Sequence, residues 1–384
     1  MLKSVRELLG KLADKALLTI ERDVKDSRKI IGYDLHPLFR RFVKVEILND
    51  EMATELHYAA VNYFKSIIHT LPSYYNYERK SVIDVWPILE AVYHLNELKN
   101  FKEAYDLFFD ERLPEALLLW GEAVLASEIY NSWIKPEALA ALGSFEAQGA
   151  VFGNLANAYL DLGQVDDAIN FYIKALSISR SSKNKINESS NLGNLGVAYY
   201  SLEKFDEAIS YYKQALLISQ EIGDRQEESN QLSNLGLVSC ELGHLEEAVT
   251  YYQKAITISH ETDDKAGKAR HLGNLGVVYL DQEQTEVAKE YFNKALSLAQ
   301  EVGDKVNIGY QFYNIGQAYQ QLGNFLLAFA NWRRASDIFT QLQSPYTMEV
   351  QKAINFLKEQ LDESSFAQLW IESEKEYENP QNKE

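Results

Sequence analysis

The sequence predicts an all-α chain, most of it a solenoid of antiparallel helix pairs, preceded by a small module that carries a β-hairpin. Three observations lead there. Asn154, Asn194, Asn234, Asn274 and Asn314 recur at a strict period of 40 residues, and self-similarity at such a period is the signature of a repeat array. Within each period the apolar residues fall at the three- and four-residue spacing of a helix face. Proline is scarce, 7 in 384 residues, while glycine recurs at the ends of the periodic segments, where helices terminate. A chain of this length is also too long to close around one core.

Each copy reads as two helices. Gly149, Ser189, Ser229, Ala269 and Gly309 open the copies, and helix A runs through NLANAY, NLGNLGVAYY, NLGLVS, NLGVVYL and NIGQAY. A tight turn follows, with Gly163, Gly243 and Gly323 as C-caps. Helix B carries Ala168, Ala208, Ala248, Ala288 and Ala328, then Ala175, Ala215, Ala255, Ala295 and Ala335. The carboxylate pairs Asp166-Asp167 and Glu246-Glu247 stand in its first turn, where the helix dipole favours them. Gly223-Asp224 and Gly303-Asp304 follow helix B, a left-handed terminator and then a cap for the next helix. Asp224 and Glu227 have capping-box spacing. Gly196, Gly236, Gly276 and Gly316, with Ala156 in the first copy, leave room on helix A for a ring from helix B. Tyr172, Tyr212, Tyr252, Phe292 and Trp332 supply it.

These residues resemble the tetratricopeptide-repeat (TPR) family, in its form with about 40 residues per repeat, over residues 145–345. The resemblance implies a right-handed TPR superhelical solenoid whose concave groove, lined by helix A, holds a protein or peptide. Two departures stand out. Ser239 replaces the tyrosine of the other copies (Tyr159, Tyr199, Tyr279, Tyr319), and Glu203 and Glu283 replace the inter-helix glycine. These departures are expected to loosen individual repeats without threatening the fold.

Around Asn194, the residues sharing its face are Ser190, Val197 and Ser201. A carboxamide offers both donor and acceptor, so a ladder of asparagines can bond an extended backbone whatever its sequence. TPRs of this form use such asparagines that way; a consensus asparagine that bonds locally or to water is the plainer alternative. Asn157, Tyr200, Arg270, Tyr310, Tyr313 and Gln317 are the variable groove positions, with Asp161, Glu241 and Asp281 at the end of helix A. TPRs that clamp the carboxylate tails of chaperones carry several basic groove residues. Here Arg270 stands alone, and Gly153, Gly193, Ser233 and Gly273 occupy the place of a clamp lysine, so such a tail is not the expected partner. The acids favour a neutral or basic segment, although solvated surface charge accounts for them as well.

Residues 1–48 read as a partial winged-helix module. An amphipathic helix over 3–16 precedes two strands in ALLTIERDVKDSRKIIGYDLH, with Arg22 to Lys29 at the tip, and Pro37 opens another helix. Residues 49–140 read as a degenerate helical linker region with TPR-like spacing around Ala104. Residues 141–345 hold five repeats, and 346–384 a capping helix and tail. YDLHPLFRRF resembles the motif that closes the winged helix of STAND signalling ATPases of the NB-ARC class. In that family the histidine, here His36, contacts nucleotide phosphates. The chain has no G-x-x-x-x-G-K-[ST] loop, so the contact requires a nucleotide-binding domain supplied upstream; a helix-capping histidine is the alternative. The resemblance implies the sensor region of such a signalling protein.

Composition bounds the rest. A net charge of −18 argues against nucleic-acid binding by the whole molecule. Basic residues nevertheless outnumber acidic ones within 1–45, so a winged-helix DNA-binding regulator with a TPR sensor is the second function weighed. The lone cysteine, Cys240, excludes an internal disulfide and fits a reducing compartment. No apolar run reaches the roughly 18–20 residues that cross a bilayer, and the first twenty residues carry charges throughout. A cytoplasmic protein with no membrane contact is expected. The histidines are scattered, no H-E-x-x-H or G-x-S-x-G is present, and Cys240 has no base beside it in the sequence. No metal, no cofactor and no enzymatic activity are expected.

Overall fold

The computed structural model describes residues 18–22, 30–35, 50–68, 71, 82–342, 344, 346–361 and 363–378. The chain divides into two compact units, residues 1–164 and 165–384.

In the first unit β1 (Leu18–Arg22) and β2 (Ile30–Leu35) pair antiparallel, Leu18 opposite Leu35, with an irregularity between Glu21 and Arg22. A two-stranded ribbon is not by itself a winged helix. The helices expected over 3–16 and from Pro37, the tip residues 23–29, and His36 lie outside the described residues. Helices α1 (Asp50–Ile68), α2 (Val82–Glu97), α3 (Phe101–Asp110), α4 (Leu113–Leu119), α5 (Ala123–Trp133), α6 (Pro136–Leu142) and α7 (Phe145–Asp161) follow. The TPR-like spacing around Ala104 corresponds to a helix pair: α2 and α3 pack together across a tight turn in which Lys99 is left-handed. Phe108, Tyr130 and Trp133 meet edge-to-face with centroids 5.4–5.9 Å apart. The Trp133 indole N–H donates to Asn96 Oδ1 at 2.7 Å, tying α5 to α2.

The second unit contains α8 (Val165–Ser181), α9 (Lys185–Ser201), α10 (Phe205–Ile222), α11 (Arg225–Glu241), α12 (Leu245–Glu261), α13 (Lys265–Asp281), α14 (Thr285–Val302), α15 (Lys305–Gln321), α16 (Phe325–Gln341), α17 (Thr347–Gln360) and α18 (Glu363–Glu378). The pairs α9–α10, α11–α12, α13–α14 and α15–α16 are the A and B helices of successive repeats. They close as the small residues predict. A Cβ added to Gly276 would stand 2.6 Å from Phe292 Cε1, and one on Gly236 3.0 Å from Tyr252 Cε1. At Gly196 and Gly316 it would run into Tyr212 and Trp332. Each of these rings is buried, so helix B lays an aromatic face directly on the bare backbone of helix A.

The turns repeat as faithfully. Gly243 and Gly323 take φ of 75°, and Glu203 and Glu283 follow them into the left-handed region at 57° and 61°. The glutamate turns keep the same backbone bond as the glycine turns. Lys204 N–H donates to Tyr199 O at 3.0 Å, as His244 N–H does to Ser239 O at 2.8 Å. Holding an L-residue there costs about 1–2 kcal/mol relative to glycine's ease, and the packing of the helix pair imposes it. Asp224, Asp264 and Asp304 accept from the N–H of Glu227, Gly267 and Asn307 at 2.9–3.0 Å, capping α11, α13 and α15. The capping box is only half made, because the Glu227 carboxylate accepts from Gln231 Nε2 at 2.8 Å instead. At the far end α18 packs on α16. Phe366 and Trp370 meet Phe329 at 5.5 Å, and the Arg333 guanidinium lies 4.5 Å over Trp370. Two helices, α17 and α18, thus stand where the sequence suggested one, and α18 lies against the last repeat.

Candidate functional site

Within the second unit the A helices α9, α11, α13 and α15 touch one another directly, closer than successive B helices do. They form the inner layer of the array. On each, an asparagine lies two residues before the glycine that receives the ring of helix B. Two residues turn a helix by roughly 200°, so Asn194, Asn234, Asn274 and Asn314 face away from helix B. All four are half-buried, and among the described residues none gives its side chain a hydrogen-bond partner. Asn331 differs, donating from Nδ2 to Leu327 O at 2.7 Å. Asn154, on α7 of the first unit, donates to Ala150 O at 2.9 Å. Asn157 and Asp161 also lie on α7, Asn157 half-buried and Asp161 with a carboxyl that burial raises above the usual range.

One turn beyond the four asparagines stand Val197, Leu237, Val277 and Gln317, all half-buried. Seven residues beyond the asparagines, on the same face, stand Ser201, Glu241, Asp281 and Gln321. Tyr200 OH donates to Glu241 Oε1 at 2.9 Å, joining α9 to α11. Burial first, and the Glu241 charge second, raise the Asp281 carboxyl above its ordinary range. Arg270 is exposed one turn before Asn274. Burial pushes the Cys240 thiol up to about 11, which leaves it protonated and unreactive near neutrality.

Of the sequence-predicted residues, Asn154, Asn157 and Asp161 belong to the first unit, Tyr310 is covered, and Tyr313 and Gln317 pair with each other. Tyr310 packs edge-on against Phe339 at 5.4 Å and Tyr346 at 4.7 Å, so the segment leading into α17 occupies it. Tyr313 accepts a hydrogen bond at its OH from Gln317 Nε2, 3.0 Å away.

A second column went unread in the sequence. Asn191, Gln231, His271 and Gln311, three residues before the asparagines, are all buried. The Gln231 amide lies over Gly193 and the Gln311 amide over Gly273, where an added Cβ would come within 2.5 Å of Nε2. Gln311 Nε2 donates to Asn307 Oδ1 at 2.7 Å. His271 Nε2 lies 3.0 Å from Ser229 Oγ, which donates to Ala255 O at 3.1 Å. Burial, and then the neighbouring Arg270 charge, lower the His271 imidazole to about 4. The signal was present: long polar side chains recur at the 40-residue period. Among the described residues no group of three or more His, Cys, Asp or Glu could hold a metal ion, and no helix is long and apolar enough to cross a membrane.

Residues 147–221 and 228–301 match the family model for the tetratricopeptide repeat, so these two segments carry TPR repeats. No curated protein matches the chain. Among solved structures the apo form of RapI is similar over 75% of this chain and 98% of its own, at 15% identity and a TM-score of 0.56. NprR in complex with its cognate peptide NprX covers 86% of this chain and 82% of its own, at 15% identity and a TM-score of 0.51. A Rap protein complexed with Competence and Sporulation Factor covers 82% and 99%, at 14% identity and a TM-score of 0.50. These likenesses establish a shared helical-repeat scaffold.

Proposed function

We propose that this chain is a peptide-binding TPR scaffold whose inner face holds an extended protein segment by its backbone. The observation that carries the reading is the column Asn194, Asn234, Asn274 and Asn314: half-buried carboxamides with donor and acceptor both open. A peptide group presents the complementary C=O and N–H, and asparagine amides read neither its sequence nor its side chains. The half-buried Val197, Leu237 and Val277 beside them give the occupant an apolar strip. NprR was solved with its cognate peptide and a Rap protein with Competence and Sporulation Factor, so scaffolds of similar shape accommodate such ligands. Asn154, the asparagine of the first copy, already bonds Ala150 O and would have to exchange that bond to hold a peptide group. Arg270 and Gln317 are assigned to specificity, with Tyr310 and Tyr313 acting through the C-terminal segment that packs on Tyr310.

The scaffold is further read as the sensor region of a STAND-type signalling protein in the cytoplasm. That rests on YDLHPLFRRF, with His36 reaching nucleotide only when an ATPase domain is supplied. Panning the full chain with a displayed random-peptide library tests the binding reading. Enriched peptides should bind the Asn234→Ala/Asn274→Ala variant on the order of 10- to 100-fold more weakly, for several lost hydrogen bonds, with its urea midpoint unchanged. Equal affinity for both proteins would refute the ladder.

A further inference from the structure

One turn before the asparagines of the inner face stand Ser190, Asn230, Arg270 and Tyr310. Ser190 and Arg270 are exposed and Asn230 is half-buried, whereas Tyr310 lies under a ring from another part of the chain. That ring belongs to Tyr346, the residue before α17. It meets Tyr310 edge-on with centroids 4.7 Å apart, and Phe339 at 5.8 Å. The bed beneath it is fixed. Phe339 is buried against the backbone of α15, where a Cβ added to Gly309 would stand 2.8 Å from its Cε1. Phe339 in turn meets Tyr310 edge-on at 5.4 Å. Burial first, and a hydrogen bond with the Tyr346 side chain second, raise the Tyr310 phenol above its ordinary range.

Tyr346 is fastened less firmly than what it covers. It remains 40% exposed, and its side chain gives α17 no cap. The anchors of α17 are Val350, Ile354 and Leu357, buried in the cluster that holds Trp332 and Phe339. Turning the Tyr346 ring about its own Cα–Cβ bond uncovers Tyr310 and leaves those anchors in place. Tyr310 lies about 6 Å along α15 from Asn314, within a side chain's reach of a backbone held at that rung.

We propose that Tyr346 fills, in the empty protein, the seat of an aromatic side chain of the bound segment, which displaces it from Tyr310 and Phe339. The proposal rests on the peptide-binding reading and deepens it. The asparagines take any backbone. This seat takes a ring, because the aromatic edges of Tyr310 and Phe339 favour an offset or edge-on partner. It also fixes register, since Tyr310 is the aromatic member of its column. A competitor within the chain lowers affinity by the fraction of molecules whose seat is open. For one ring pair, release should be worth about 2- to 10-fold.

The test uses the full chain, the same displayed library and the fluorescence anisotropy of one enriched peptide. Enriched peptides should carry tryptophan, tyrosine or phenylalanine. Replacing that residue by alanine should weaken binding to the wild type at least about tenfold. The parent peptide should bind Tyr346→Ala about 2- to 10-fold more tightly, through faster association with dissociation unchanged. The alanine peptide, which has no ring to seat, should bind both proteins equally, and Tyr346→Phe, which keeps the cover, should behave as the wild type. An unchanged urea midpoint shows that the variant is folded, and Tyr346→Gln replaces Tyr346→Ala should the latter not fold. Enriched peptides without an aromatic residue, or a parent peptide that binds Tyr346→Ala no more tightly than the wild type, would overturn the proposal while leaving peptide binding intact. Failure to enrich any peptide would refute the peptide-binding reading, and this proposal with it.

Discussion

Replacing Gly276 and, separately, Gly236 by alanine isolates the packing on which the repeat depends. Both glycines sit inside A helices, so alanine should favour either helix by about 1 kcal/mol through propensity alone. The added methyl meets different surroundings. At Gly276 it would stand 2.6 Å from Phe292 Cε1 and 2.7 Å from Cδ1, so the ring must retreat roughly 0.8 Å to reach ordinary contact. Phe292 is fully buried in a cluster with Ala288, Phe312 and Ile315 and has little room to retreat. At Gly236 the nearest Tyr252 atoms are at 3.0–3.1 Å, and about half that movement suffices. Overpacking of the first kind costs about 1–3 kcal/mol. Gly276→Ala should therefore be less stable than wild type by about 1–2 kcal/mol, with Gly236→Ala near neutral, because propensity offsets its smaller strain. Urea unfolding followed by far-UV circular dichroism reads the difference. If both variants gained about 1 kcal/mol alike, the rings would not be seated on the bare glycine backbone, and the account of helix pairing would be wrong.

Two further outcomes follow from the same structure. Glu203→Gly should stabilise the array by about 0.5–1 kcal/mol in urea unfolding, since glycine adopts the left-handed turn of Glu203 without strain but gains freedom in the unfolded chain; no gain would mean that the turn is not strained. His271 stays neutral in the fold down to about pH 4, whereas its ordinary value is 6.5. The unfolded chain binds the extra proton between these values, so stability is intact above about 6.5 and falls as pH drops toward 4, by up to about 3 kcal/mol. His271→Gln, the residue that neighbouring repeats carry at 231 and 311, should remove that slope, and an unchanged profile of urea midpoint against pH would contradict the assignment.

The repeat was legible because its physics is local. The glycines at 196, 236, 276 and 316 and the rings opposite them are fixed by the close approach of two helices. The caps at Asp224 and Asp304 are fixed by the orphan N–H groups of a helix start. What was not legible depends on neighbours distant in sequence. Glu203 and Glu283 adopt the glycine conformation because the helices they join are already packed, which residue preference alone does not foresee. Tyr310 has the spacing of a groove residue, and only the path of the chain through Tyr346 shows it covered. The polar column of Asn191, Gln231, His271 and Gln311 lies one turn from the asparagine column on the same helices. Periodicity places both on a polar face, and burial between repeats separates them. Glu188 is another case: burial opposes its charge, but hydrogen bonds from Arg180 and Lys185 prevail and hold its carboxyl below the usual range.

The central claim is that the open asparagine amides of the inner face grasp a peptide backbone. It is tested most directly by NMR on the full chain with asparagine side chains selectively labelled, titrated with one peptide enriched by panning. The amide resonances of Asn234 and Asn274 should shift and become protected from solvent exchange as the peptide saturates, while that of Asn331, already bonded to Leu327 O, stays in place. A peptide that binds with equal affinity and leaves the resonances of Asn194, Asn234, Asn274 and Asn314 unmoved would contradict it.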